Sequence, residues 1–181
     1  MKKILLLVFA LTFLSSICYA QGFTLKSPDI NGQLSQNQVL NGFGCEGRNI
    51  SPELNWQNLP KNTKSFAVTA YDPDAPTGSG WWHWVIFDIP SNTTNLKAGA
   101  GNLKNNLSPV GSIQSITDFG STGYGGACPP SGDKAHRYIF TVYALDIEKL
   151  GVNEKSSPAM VGFFLNQHTI AKSSVIAYYS R

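Results

Sequence analysis

What this chain lacks narrows its chemistry before anything it contains. No Gly-x-Ser-x-Gly elbow occurs anywhere, so the strained serine nucleophile of that hydrolase type is missing. No Gly-Lys-Ser/Thr follows a glycine run, and no strand–glycine–helix order surrounds one, which removes the phosphate-loop and dinucleotide fingerprints. The three histidines never stand four apart, so the helical zinc pair is absent. No Lys/Arg block or basic stripe appears either, which sets aside nucleic acid and polybasic membrane contacts. Internal repeats, low-complexity tracts and linkers are missing too. At 181 residues the chain suits one well-buried domain and is too short for two.

The N-terminus has its own signature. Lys2 and Lys3 precede an apolar run from Ile4 to Leu14, and small or neutral residues lead to Ala20 before Gln21. This reads as a secretory signal over residues 1–20 that is cleaved after Ala20. The apolar run is short for a membrane span, and Ile17 is bulkier than a lipoprotein site at Cys18 prefers. Residues 21–181 are then expected to form a single periplasmic or secreted domain with no integral membrane segment. Losing Lys2 and Lys3 leaves twelve basic residues against eleven acidic ones. In an oxidising compartment the two remaining cysteines, Cys45 and Cys128, favour a disulfide over two buried free thiols.

The apolar patterning is that of strands. Phe66 to Tyr71, Trp84 to Ile89 (stopped by Pro90) and Tyr138 to Leu145 are strand-length runs rich in aromatic and β-branched residues. Gly, Asn, Pro and Ser clusters punctuate them at 41–44, 91–95 and 120–126, as in a β-sandwich. One helix is expected: Ser156-Ser157-Pro158 supplies a cap and a first-turn proline, and Met160, Phe163, Phe164 and Ile170 recur at helix-like spacing. A shorter helical turn is expected near Ile147 to Leu150, and a final strand over Val175 to Tyr179. The fold class is therefore all-β dominated.

Polar groups gather at the ends of these runs. Asp72 and Asp74 flank Pro73, and the proline pushes Asp72 into extended geometry at a strand end. Pro73 and Pro76 are expected to keep both carboxylates near one orientation, facing a histidine or a ligand; the alternative is a turn in which they cap their own backbone. His83 and His136 each enter a buried strand, and nearby carboxylates would favour a charged imidazolium that donates to an anion. His168, inside the helix, is read as structural or surface. The glycines of Gly123-Tyr124-Gly125-Gly126-Ala127-Cys128-Pro129-Pro130 could turn backbone N–H groups toward a small anion. Asp72, Asp74, His83 and His136 also have the composition of a divalent-metal site. Cys128 near His136 has that of a thiol nucleophile, although Pro129 and a disulfide would oppose it.

Together these segments resemble the phosphatidylethanolamine-binding protein family, and within it the bacterial branch often labelled Raf-kinase-inhibitor-like. The likeness is carried by Tyr71-Asp72-Pro73-Asp74-Ala75-Pro76, Trp82-His83-Trp84, Asp118-Phe119-Gly120, Tyr124 to Pro130 and His136-Arg137-Tyr138. Asn49-Ile50-Ser51-Pro52-Glu53-Leu54-Asn55-Trp56 adds to it, and it runs from about Phe23 to Tyr179. The resemblance implies a sandwich of two antiparallel sheets with a C-terminal helix and one or two short helices. It also implies an anion pocket lined by Asp72, Asp74, His83, Gly126, Cys128, Pro130, His136 and Tyr138. A small anion or phosphate-bearing head group is the implied ligand, with no cofactor, no metal and no catalysis. Ala127 departs from the proline more usual there. The alternative is an interaction or inhibitor module whose pocket is a relic, with a protease, a kinase-like protein, a host protein or a second copy of the chain as partner; a metal-dependent or cysteine hydrolase ranks below both.

Overall fold

A computed structural model describes residues 22–181; the signal segment expected over 1–20 lies outside the described residues. In chain order the strands are β1 (Thr24–Lys26), β2 (Asn41–Gly42), β3 (Cys45–Glu46), β4 (Leu54–Gln57), β5 (Ser65–Asp72), β6 (Trp81–Pro90), β7 (Asn95–Leu96), β8 (Ile113–Gln114), β9 (His136–Leu145) and β10 (Thr169–Tyr179). The α-helix, α1, spans Pro158–His168. Five strands form one antiparallel sheet in the order β10-β9-β5-β6-β8, three form a second in the order β1-β4-β7, and β2 pairs with β3 as a hairpin.

The five-stranded sheet is covered on both faces, which explains why β5 and β6 read as unbroken apolar runs rather than alternating ones. Phe66, Val68 and Ala70 of β5 join Phe140 and Val142 of β9 in a core closed by Leu25, Leu54, Trp56 and Leu96 of the smaller sheet. Ala67, Val85, Phe87 and Leu145 point the other way, onto Leu150 and the Val161 and Leu165 side chains of α1. Side chains on a strand alternate faces, so each of these strands feeds two cores. No helix among the described residues is long and apolar enough to cross a membrane.

The helix begins as its cap foretells: Ser157 Oγ accepts from the Met160 N–H at 3.2 Å, and Pro158 occupies the first turn. Its buried face differs from the expected one. Pro158, Val161 and Leu165 are buried, whereas Met160 and Phe163 are exposed, and Ile170 already belongs to β10. The final strand begins at Thr169, six residues before the expected Val175, because it pairs with nearly the whole of β9. No helical turn forms at 147–150; the chain bends over 146–148, and Ser65 Oγ donates to the Ile147 carbonyl there. A short 3-10 turn lies instead at Leu103–Asn105, capped by the Asn102 side chain.

Cys45 and Cys128 form a disulfide with their Cα atoms 5.9 Å apart, tying the β2–β3 hairpin to the loop before β9. Closing a loop across 83 residues restricts the unfolded chain by about 4.5 kcal/mol in the chain-entropy model. The hairpin turn holds Phe43 and Gly44 at positive φ, the geometry a two-residue hairpin loop requires. Phe43 is thereby presented at the tip, stacked on Phe119 with ring centroids 5.9 Å apart.

Candidate functional site

One end of the large sheet gathers the polar residues. β5 lies between β6 and β9, with Asp72 opposite Trp81 and Tyr71 opposite Ile139. The C-terminus of β5 and the N-termini of β6 and β9 therefore share an edge. Period-two alternation then places Asp72, His136 and Tyr138 on the face that carries Ala70 and Phe140. His83 reaches that face differently. Between Ala70↔Trp84 and Tyr71↔Trp82 the register shifts by one residue, and His83 is the extra residue of this bulge. Trp82 packs toward the helix side and Trp84 toward the other core, so the bulge turns His83 onto the ring of Tyr138, 5.1 Å between centroids.

Both ring nitrogens of His136 meet carboxylates. Nδ1 donates to Asp72 Oδ2 at 2.8 Å and Nε2 donates to Asp133 Oδ2 at 3.2 Å. Burial works against the charged ring, but its hydrogen bonds to Asp72 and Asp133 outweigh it and raise the His136 pKa, and a ring that donates from both nitrogens is an imidazolium. The other oxygen of Asp72 accepts from the Asp74 and Ala75 N–H groups at 2.8 and 3.1 Å. The turn-capping role and the histidine-orienting role thus fall to the two oxygens of one carboxylate.

His83 is held the opposite way. Its Nδ1 lies 2.8 Å from the Gly125 carbonyl oxygen, which can only accept, and the Gly125 N–H donates to the His83 carbonyl at 2.8 Å. Burial lowers its pKa, against the pull of Gly125, Asp72 and Asp118. The expectation of a charged His83 is therefore corrected: desolvation exceeds the carboxylates' attraction, and the neutral ring keeps its proton on Nδ1.

A cavity of about 280 Å³ opens here, lined by Asp72, His83, Cys128, Pro130, His136 and Tyr138 from the expected set. Phe43, Trp81, Phe119 and the Ala75–Thr77 turn complete its walls. Two buried polar atoms on lining residues, Tyr138 Oη and Trp81 Nε1, have no hydrogen-bond partner among the described residues. Burial raises the Tyr138 pKa, so its hydroxyl remains a donor. Among the described residues no three His, Cys, Asp or Glu side chains gather as a metal-holding group.

Two expected pocket residues lie elsewhere. The Asp74 carboxylate takes a bidentate bond from Arg137 at 2.8 and 2.9 Å, with Lys134 at 3.7 Å, so it diverges from Asp72 instead of facing the cavity with it. The Arg137 side chain is chiefly what holds the Asp74 carboxyl far below the usual carboxylate range. Gly126 is a packing position: a Cβ there would lie 2.4 Å from the Gln38 carbonyl oxygen. Four of the backbone N–H groups in the 123–130 segment are spent as well. The N–H groups of Tyr124, Gly125, Gly126 and Ala127 donate to Gly101 O, His83 O, Asn49 Oδ1 and Gln38 O. His168 sits at the surface, bonded to Asp146.

Asp133, Trp81, Phe119 and Phe43 enter the site without having been expected in it. For Asp133 the available signal was a Gly132 turn placing a carboxylate three residues before His136. Phe119 packs edge-on against His83 at 5.3 Å, and Asp118 beside it accepts from the Trp82 N–H at 2.7 Å. The Asp-Phe-Gly segment thus braces the bulge that aims His83.

The sequence and the fold both match known proteins. Residues 30–180 match the family model described as phosphatidylethanolamine-binding protein. The chain is 48% identical over 179 residues to the UPF0098 protein YbcL of Escherichia coli, covering 98% of each chain. It is 53% identical over 148 residues to the UPF0098 protein YbhB of the same organism, covering 82% of this chain and 92% of that one. The crystal structure of E. coli YbcL, described as a new member of the mammalian PEBP family, superposes with a TM-score of 0.86 at 50% identity, covering 88% of this chain and 98% of that one. The chain belongs to the phosphatidylethanolamine-binding protein family, and that membership supports a binding-type protein.

Proposed function

We propose that this member of the phosphatidylethanolamine-binding protein family is an exported, non-enzymatic binding protein whose cavity takes a small anion or phosphate-bearing head group. The observation that carries this reading is the buried Tyr138 hydroxyl. Tyr138 lines the cavity with its ring edge-on to His83, and its buried hydroxyl has no hydrogen-bond partner within bonding geometry among the described residues. Leaving a buried hydroxyl unsatisfied costs about 1–3 kcal/mol, and a ligand oxygen would relieve that cost. His136 would contribute its charge, and the Asp133 side chain, 37% exposed, could swing off Nε2 to admit the ligand. Export is supported by the lysine–apolar–small pattern of residues 1–20 and by the disulfide, which suits an oxidising compartment.

Charge-assisted hydrogen bonds contribute about 1.5–3 kcal/mol each, and association costs absorb most of that for so small a ligand. Binding of free phosphate at roughly millimolar to high-micromolar levels follows. Titration with inorganic phosphate and acetate, followed through the imidazole NMR signals, tests the reading. Both His83 and His136 should shift saturably; signals that stay still at both rings would remove it.

A further inference from the structure

The opposite face of the five-stranded sheet carries a second cleft. It is a slot of about 340 Å³ between α1 and the strands, walled by the rings of Trp82, Tyr143 and Phe163, with Thr69 on the sheet side and Gly162 on the helix side. Thr69 alternates with Ala70, so it points away from the face that carries Asp72, His136 and Tyr138. Two features of the slot have no structural explanation. Thr69 is only 3% exposed, and no hydrogen bond from the described residues takes its hydroxyl, whereas Thr141 opposite it on β9 bonds Ser174 at 2.8 Å. Gly162 lies inside α1, where only proline is less favourable than glycine. Close packing is the usual reason for such a glycine, yet a Cβ there would meet nothing within 4 Å. Its missing side chain leaves room in the slot instead of relieving a clash. No charged side chain lines the slot.

We propose that this cleft is a second ligand site, separate from the anion cavity, for a small neutral aromatic molecule with one hydrogen-bonding group, of the phenol class. Its ring packs among Trp82, Tyr143 and Phe163, where aromatic pairs gain from offset and edge-on contact, and it approaches the helix backbone over Gly162. Its hydroxyl pairs with Thr69 Oγ1, which can both donate and accept. A charged ligand is disfavoured because it would give up hydration without meeting a countercharge. A purely apolar ligand fills the slot but leaves the Thr69 hydroxyl unpaired. The volume lies at the lower end of small-ligand sites, enough for one substituted ring.

The test is an NMR titration of the protein with phenol, toluene and N-acetyltyrosinamide, read at the Gly162 amide and the Trp82 indole signals. Phenol should move both saturably with a Kd of roughly millimolar or tighter. Toluene should bind about fivefold more weakly, in keeping with one lost hydrogen bond. In Thr69→Val, which keeps the side-chain shape, phenol should weaken to the level of toluene while toluene binding holds. In Gly162→Leu, which fills the slot, both should weaken by more than about tenfold while the amide spectrum of the two sheets stays that of the parent protein. Phenol that fails to saturate these signals, a phenol preference that survives Thr69→Val, or binding that survives Gly162→Leu would overturn the proposal. N-acetyltyrosinamide binding more than about tenfold tighter than phenol would make the slot an anchor for a partner's side chain and overturn its assignment to a free small molecule. None of these outcomes bears on phosphate at His83 and His136, so the two sites stand or fall separately.

Discussion

At the scale of single residues, three side chains divide the work of the cavity. His136 carries the charge, His83 is held through Nδ1 by the Gly125 carbonyl, and Tyr138 has a buried hydroxyl without a hydrogen-bond partner among the described residues. Replacing Tyr138 with Phe separates function from structure. The unsatisfied hydroxyl costs stability, so Y138F should unfold at an equal or higher denaturant midpoint, by up to about 1 kcal/mol. Phosphate affinity should fall about tenfold in the same variant, read by titration. A hydroxyl with an ordinary structural role would give the reverse on stability. Asp133 makes the second test. Its carboxylate sits where a ligand oxygen would approach His136 Nε2. Asp133→Asn should therefore tighten phosphate binding several-fold and lower the His136 pKa toward its ordinary value, both visible in one NMR series. Weaker phosphate binding would mean that Asp133 helps the site rather than competing for it.

Elements decide where those residues point, and here the sequence is only partly legible. Asp72 and His136 could be placed because a strand end before proline and a strand start before an aromatic run are local signals. His83 could be assigned to its strand but not to its face, since the bulge that turns it depends on pairing with β5. Asp74 was drawn to the wrong partner because Arg137, which captures it, lies 63 residues away. Gly126 looked like a ligand cradle, yet its missing side chain is required by the Gln38–Leu40 backbone packed against it. The helix misled through exposure: Met160 and Phe163 are apolar, so spacing alone could not show that Val161 and Leu165 face the sheet. Leu165→Ala should cost about 2–4 kcal/mol by denaturant unfolding, and Phe163→Ala less than about 1 kcal/mol. Equal costs would contradict the assigned buried face.

Over the whole molecule, burial of His83 and the charge partners of His136 and Asp74 together set the pH dependence of stability. His136 has a folded pKa raised above about 6.5, so its contribution is complete below that value and is lost as pH rises through the folded pKa. His83 is shifted the other way, so stability declines as pH falls below about 6.5, where the unfolded chain takes up a proton that the native ring resists. Asp74, depressed chiefly by Arg137, adds a loss as pH falls below about 4. Stability should therefore peak near pH 6–7, with denaturant midpoints declining on both sides; a midpoint still climbing through pH 9 would contradict these assignments. The class of fold was readable from strand runs and turn clusters, and the family match and superposition agree with it. The two-sheet sandwich was expected too; what could not be read is which residues of β5 and β6 face which layer, because a sheet covered on both faces shows no alternation in its central strands.

The central claim is spatial: two histidines of opposite protonation and one free hydroxyl converge on a single ligand position. A crystal structure of the protein grown with inorganic phosphate tests this most directly. The account predicts density for the anion inside the cavity, within hydrogen-bond distance of His83 Nε2, His136 and Tyr138 Oη, with the Asp133 carboxylate moved aside. An ordered phosphate elsewhere on the molecule, with this cavity holding only water and Asp133 still on His136, would contradict it.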